Sequence, residues 1–295
     1  MLGDDVVKYE PLVSIVIVTY NSEEYVIETL NSCINQNYKN FEIIISDDGS
    51  TDKTLDLCET WRCEQAHKYA IKIITSNLRK GIPANCNRGA NVSKGEWIKF
   101  LGADDLLEPD AIENLVKAGS KGFDLVYSKF KTFGSAITQS EIYPYYFTWR
   151  LIKCREFKWT KFNEWLFLLG FSNVAPGAFI KSSTFNALHK YNEDYYLLED
   201  LPLWHKAFNS KYKITTCNMI TVNYRVHQKQ VTSNGLSPLL KKDLLHFNET
   251  VRKGSFIPYY HNLFQIKVLS SNLYYKFRFF DVFQIVIYII NRLGK

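Results

Sequence analysis

Val13 to Thr19 reads VSIVIVT, a β-branched run that predicts a strand buried on both faces, and in Ser22 to Gln36 the apolar positions Val26, Leu30, Cys33 and Ile34 recur at helical spacing. The pair then repeats. Phe41 to Ser46 predicts a second strand, Asp47 to Thr51 a turn and Asp52 to Ala66 a helix; Ile71 to Thr75 predicts a third strand, with a helix over Ile82 to Val92 opening after Gly81. Trp97 to Leu101 predicts a fourth strand, running into Gly102-Ala103-Asp104-Asp105, and Pro109 to Ala118 a helix with proline near its start. Such alternation predicts an α/β fold, a mostly parallel sheet flanked by helices, in which ligands bind beyond the carboxyl ends of the strands. Tyr20-Asn21, Asp47-Asp48, Asn77 and Asp104-Asp105 each fall just after a predicted strand.

Beyond Phe123 the pattern turns aromatic and less periodic from Tyr143 to Trp165, then continues through Val174 to Ile180, a helix near Leu201 to Asn209 and a strand near Ile214 to Val226. No repeat or low-complexity linker divides these stretches, so residues 1–235 read as one domain with halves 11–122 and 123–235. Residues 236–295 read as a helical C-terminal segment after the polar Thr232-Ser233-Asn234-Gly235.

A chain of 295 residues, 46% hydrophobic, suffices for one large core of this kind. Its six cysteines form no C-x-x-C pair, so neither a zinc site nor a redox motif is legible, and the polar start without a signal pattern predicts a cytoplasmic chain. The net charge is +6, and Lys267, Lys276, Arg278 and Arg292 lie among Tyr274, Tyr275, Phe277 and Phe279, which predicts an anionic partner at that end. No nucleic-acid motif accompanies them, so membrane lipid is the expected partner. Phe279 to Ile290 is mainly apolar but interrupted by Asp281 and Gln284, and falls short of the ~20 residues of a spanning helix. It suits a helix lying in the membrane interface, or one in the core or a homodimer.

Three acidic pairs carry the candidate chemistry. Asp47-Asp48-Gly49-Ser50 has turn chemistry, so its carboxylates either satisfy turn and helix amides or meet a ligand. Asp104-Asp105 sets two like charges side by side, a cost that solvation in a turn, hydrogen bonds or a divalent cation such as Mg2+ or Mn2+ would offset. Glu199-Asp200 opens a predicted helix, from which a carboxylate either caps the helix or faces a cleft. There is no G-x-G-x-x-G after the first strand and no Walker loop.

SIVIVTYN (Ser14 to Asn21), ISDDGSTD (core Ser46 to Asp52), NLRKGIPANCNRG (Asn77 to Gly89), KGEWIKFLGADD (Lys94 to Asp105) and LLEDLPLW (Leu197 to Trp204) together resemble, in order, the inverting family 2 glycosyltransferases of the GT-A fold, over most of residues 11–230. The resemblance implies that 11–122 is the nucleotide-sugar half and 123–235 the acceptor half. It implies that Tyr20 stacks on uracil, Asp48 bonds the base, Asp104 meets the ribose and Asp105 binds Mn2+ or Mg2+ at the diphosphate. Thr19, Asn21, Glu23, Asn77, Gly81 and Asn87 complete the implied nucleotide side. By the same resemblance Asp200 is the catalytic base, Glu199, Gly177 and Ala178 border the acceptor, and Arg225 and His227, in Asn223-Tyr224-Arg225-Val226-His227, face the diphosphate. An aspartate at its ordinary pKa of ~3.9 would be ionised for that role.

Two positions depart from the pattern. Gly102 stands where relatives carry the first aspartate of D-x-D-D, and Cys86 where they often carry an arginine, leaving Arg79, Lys80 or Arg88 as substitutes. The implied activity transfers a hexose or N-acetylhexosamine from a UDP-sugar to a glycan hydroxyl, the acceptor being a lipid-diphosphate-linked oligosaccharide of O-antigen or capsule type at the inner face of the cytoplasmic membrane. A sugar-nucleotide-binding protein without activity and a sugar-phosphate nucleotidyltransferase are the competing classes.

Overall fold

The computed structural model describes residues 9–136, 142–143, 164, 167–168, 175–228, 237–256, 258–260 and 262–263. The first half alternates as its pattern predicts. Strands β1 (Val13–Thr19), β2 (Phe41–Asp47), β3 (Ala70–Thr75) and β4 (Trp97–Gly102) are parallel and separated by α1 (Val26–Ile34), α2 (Thr54–Gln65) and α3 (Ile82–Asn91). A short β5 (Leu106–Leu107) and α4 (Ala111–Gly119) follow. The second half contributes β6 (Leu125–Phe133), β7 (Ile142–Tyr143), β8 (Ala178–Lys181), α5 (Ser182–Ala187), α6 (Asp200–Phe208), β9 (Ile214–Arg225) and α7 (Pro238–Phe247). The sheet runs β3-β2-β1-β4-β8-β6-β9-β5, with β7 on β6. It is mixed at β8, which pairs antiparallel with both β4 and β6 and so joins the two halves into one sheet.

Register brings the strand ends together: Thr19 lies opposite Asp47, Asp47 opposite Thr75 and Val18 opposite Gly102. The polar residues that follow these strands therefore share one edge. Successive residues of β1 face opposite layers, Ile15 and Ile17 towards α1, α2 and α4, Val16 towards Ile98, Tyr127, Leu203 and Trp204. Full burial of each such side chain contributes roughly 1.5–3 kcal/mol, which holds helices on both faces.

β6 is a strand that the sequence reading did not predict, and its ladder with β9 slips between Ser128 and Phe130. α1, α2 and α4 begin later than the sequence predicts, α3 begins at Ile82 as predicted, and α6 begins one residue early. Ser22 O accepts both Tyr25 N and Val26 N, so a turn precedes α1.

Leu240 and Phe247 of α7 sit in the second core layer with Leu203 and Trp204, so the start of the 236–295 segment packs as part of the domain. The basic aromatic run from Lys267 and the apolar run Phe279 to Ile290 lie outside the described residues. Among the described residues no helix is long and apolar enough to cross a membrane.

Candidate functional site

The adjacent aspartates after β2 do different work. Asp47 accepts the Gly49 and Ser50 amides at 3.0 and 2.9 Å and the Thr75 hydroxyl at 3.1 Å, the pattern of a turn residue. Asp48 reaches across instead, accepting the Lys80 amide at 3.0 Å, the Gly81 amide at 2.7 Å and Arg88 Nη2 at 3.1 Å, and so holds the β3–α3 loop.

Several residues implied for the nucleotide side brace this edge. Asn21, at φ +49°, accepts the Thr51 amide and donates its own to Ser50 Oγ, while Glu23 accepts the Lys53 amide. Thr19 O accepts Asp48 N and Asn85 Nδ2. Asn87 points away from the edge, its amide donating to Tyr191 O and Glu193 and accepting Tyr191 N. Of the three basic residues named as substitutes, Arg88 is committed to Asp47 O, Asn85 and Asp48. Arg79 lies 3.9 Å from the centroid of the half-buried Tyr20 ring and 5.6 Å from that of Tyr196. Lys80 and Asn77 are exposed on the same loop.

At the end of β4, Asp104 and Asp105 converge on Gly102. A Cβ on Gly102 would stand 2.8 Å from Asp104 Oδ1 and 3.3 Å from Asp105 Oδ2, so the missing side chain leaves a cradle between the two carboxylates. Burial, then the Asp104 charge, push Asp105 well above the usual carboxylate range; the Arg225 amide, which donates to Asp105 Oδ1 at 2.9 Å, and Lys99 pull it back. Among the described residues no third His, Cys, Asp or Glu completes a metal cage. Two carboxylate oxygens opening on a cradle fit Mg2+ or Mn2+, which take further ligands from phosphates and water.

Lys99 is the residue that motif reading missed. It is fully buried in β4, its Nζ donates to Pro176 O and to Ala178 O at 3.3 Å, and burial lowers its pKa to about 7 against the opposing charge of Asp105. A lysine inside the strand sequence WIKFL was the available signal.

Arg225 and His227 close the same corner. Arg225 donates from Nε to Asp104 O at 2.7 Å and from Nη2 to Glu28 at 2.5 Å, its guanidinium lying between the Tyr25 and Phe133 rings. His227 Nε2 meets Asp104 Oδ2 at 3.0 Å. His227 is buried. Gly177 and Ala178 take a packing role: a Cβ on Gly177 would meet Ser128 O at 2.3 Å, and Ala178 pairs with Tyr127 across β8 and β6.

Glu199 and Asp200 start α6, where Asp200 Oδ1 accepts the Leu201 amide at 2.7 Å. Both side chains are half-buried. Burial pushes Asp200 up to about 6; burial and the Asp200 charge push Glu199 up to about 8. This corrects the expectation of an unperturbed aspartate. The Cys86 thiol is raised by burial, then by the charges of Glu199 and Asp48, so α3 carries the influence of both acidic groups at one point.

Unfolded carboxyls lose protons near pH ~4, whereas the folded pair keeps them to about 6 and about 8, so stability falls as pH rises through that window. Glu199→Gln removes one of the two groups, and its melting temperature should drop less than the wild type's between pH 5.5 and 8.5. Equal drops would mean that Glu199 is not held protonated.

The model of the glycosyl transferase family 2 matches residues 14–174, more than half of the chain. An Escherichia coli relative, the UDP-Glc:alpha-D-GlcNAc-diphosphoundecaprenol beta-1,3-glucosyltransferase WfaP, is 27% identical over 78% of this chain and 84% of its own. Two further matches are partial: the chain spans 32% of a Haemophilus influenzae glycosyltransferase and 26% of an Escherichia coli chondroitin synthase. Among solved structures, Staphylococcus aureus TarS 1-349 in complex with UDP-GlcNAc shares the fold at TM-score 0.59 and 18% identity, over 87% of this chain and 81% of that one. The Pyrobaculum calidifontis mannosyltransferase PcManGT, in complex with GDP-Man and Mn2+, gives TM-score 0.59 at 18% identity, over 89% and 70%. With its mixed sheet, its strand-end carboxylates and this match, the chain belongs to glycosyl transferase family 2.

Proposed function

We propose that the chain is an inverting, metal-dependent glycosyltransferase that moves a hexose or N-acetylhexosamine from a UDP-sugar to a hydroxyl of a lipid-diphosphate-linked glycan in surface polysaccharide synthesis, working against the inner face of the cytoplasmic membrane. The observation that carries the reading is the adjacent carboxylate pair at the start of α6, where the Leu201 amide fixes Asp200 Oδ1 at 2.7 Å and burial raises both groups, Glu199 further because of the Asp200 charge. One group accepts a proton and its neighbour donates a hydrogen bond. WfaP's lipid-diphosphate acceptor and TarS's UDP-GlcNAc support the substrate classes.

In this reading the acceptor oxygen bonds to the anomeric carbon, Asp200 takes its proton, and the bond to UDP breaks with the electron pair leaving on the diphosphate. Attack opposite the leaving group inverts the anomeric configuration. Tyr20 and Asp48 flank the base, with Arg79 beside the Tyr20 face, and Asp104 lies on the ribose side. A divalent cation held by Asp105 and Asp104 would supply charge neutralisation to the departing diphosphate. Arg225 and His227 orient Asp104, and the Arg225 guanidinium adds positive charge at that corner.

Calorimetric titration of UDP into the chain should give binding that strengthens with Mn2+, and Asp105→Ala should remove the Mn2+ dependence. UDP affinity indifferent to Mn2+ in the wild type would remove the metal from the reading. Absence of UDP binding would remove the donor, and UDP binding without turnover of any UDP-sugar would favour the non-catalytic class.

A further inference from the structure

Asp243 lies on α7, well beyond every motif of the site in sequence, yet it is buried against the segment that leads into the carboxylate pair. Its Oδ2 accepts three successive backbone amides, Tyr196 at 2.8 Å, Leu197 at 2.6 Å and Leu198 at 3.2 Å. Consecutive amides converging on one anionic oxygen form a nest, and hydrogen bonds to a carboxylate are the strong ones. Leu197 and Leu198 are themselves buried, so without Asp243 their amides would need another partner. The next two residues are Glu199 and Asp200.

The segment is gripped from its other side as well. Tyr196 O accepts the Ile82 amide at 2.8 Å, and the adjoining Lys80 and Gly81 amides are those held by Asp48. α7 is in turn anchored by Leu240 and Phe247 in the core, with His246 5.0 Å from the Tyr195 ring. A continuous strut therefore runs from α7 through Tyr196 to the β3–α3 loop.

We propose that Asp243 is a positioning residue for glycosyl transfer: by clamping the Tyr196–Leu198 backbone it fixes where α6 begins, and hence where Asp200 meets the acceptor relative to a donor held at Asp48. This rests on the reading of Asp200 as the base. It makes α7 a part of the catalytic frame rather than an appendage. A displacement of about 1 Å at a reacting group can cost on the order of 100-fold in rate, so a clamp of this kind acts on turnover more than on donor binding.

Asp243→Asn and Asp243→Ala in the full chain form the test, read by hydrogen exchange, UDP calorimetry and turnover at saturating donor. Asparagine keeps one carbonyl acceptor and alanine none, so protection of the 196–198 amides should fall in the order wild type, Asn, Ala, while β1 and β2 stay protected. Turnover should fall in the same order, by roughly 10- to 100-fold for Ala, with UDP affinity within about twofold. Turnover that merely tracks the folded fraction, or a folded Ala variant with wild-type turnover, overturns the proposal. Should Ala not fold, Asn decides: a fall of about threefold or more at unchanged UDP affinity supports it, and unchanged turnover overturns it. If the wild type turns over no UDP-sugar, the reading of Asp200 fails, while exchange at 196–198 still decides the clamp.

Discussion

Asp200→Asn is expected to lower turnover by roughly 100-fold or more while UDP affinity stays within about twofold of wild type. Asparagine has the shape of aspartate and keeps an oxygen for the Leu201 amide, so the start of α6 is preserved. It cannot accept the acceptor's proton. The substitution thus separates the two roles that the sequence leaves open. A residue that only satisfies helix amides is replaced by asparagine at almost no cost, because the two are equivalent at helix starts. A general base is not. Glu199 is a poor substitute, since its pKa is pushed up to about 8 beside the charge of Asp200; removing that charge changes its titration but not its position. The measurement is UDP release or sugar transfer at pH 7 beside calorimetric UDP binding. Wild-type turnover in a folded Asp200→Asn chain would take Asp200 out of the chemistry.

The first half of the fold was legible because burial on both faces writes itself as unbroken β-branched runs: VSIVIVT and FEIIIS are strands at almost the predicted bounds. The same rule hid β6. Its continuous buried run is only Leu125 to Ser128; beyond it the half-buried Lys129 and Lys131 alternate with the buried Phe130 and Thr132, and a bulge against β9 breaks the period. The candidate site divided in the same way. Acidic pairs at strand and helix ends were visible as local chemistry that a turn alone did not require. Lys99 and Asp243 were not, since each acts on backbone brought near by the fold: the carbonyls of Pro176 and Ala178 for one, the amides of Tyr196 to Leu198 for the other. Long-range bonds to main chain leave no motif in sequence. What they leave is an oddity, a lysine inside WIKFL or an aspartate in PLLKKDLLHF on the buried side of a helix. Asn87 shows the converse. Its place in NLRKGIPANCNRG suggests a ligand contact, whereas its amide is spent tying α3 to Tyr191.

Gly81→Ala should be the most damaging single-methyl change near the site, destabilising the chain by about 3 kcal/mol and lowering UDP affinity and turnover together. Two costs combine. Gly81 has φ +94° and ψ 172°, a region open essentially to glycine alone, where an L-residue is strained by roughly 1–3 kcal/mol. Its Cβ would also stand 2.2 Å from Tyr196 O, a backbone atom fixed by the Ile82 amide on one side and, through Tyr196 N, by Asp243 on the other. Neither can yield without moving the loop held by Asp48 or the segment that leads to Asp200. Gly122 is the control. At φ +82° it also has positive φ, yet nothing lies within 4 Å of a Cβ placed there, so Gly122→Ala should cost only about 1 kcal/mol and leave activity unchanged. Urea unfolding of the two variants beside wild type isolates the contact. If Gly81→Ala costs no more than Gly122→Ala, the approach to Tyr196 is soft, and the β3–α3 loop is not rigidly tied to the start of α6. If the gap is about 2 kcal/mol, the β3–α3 loop rests rigidly on Tyr196 O, and the joint loss of UDP affinity and turnover in Gly81→Ala traces to that contact.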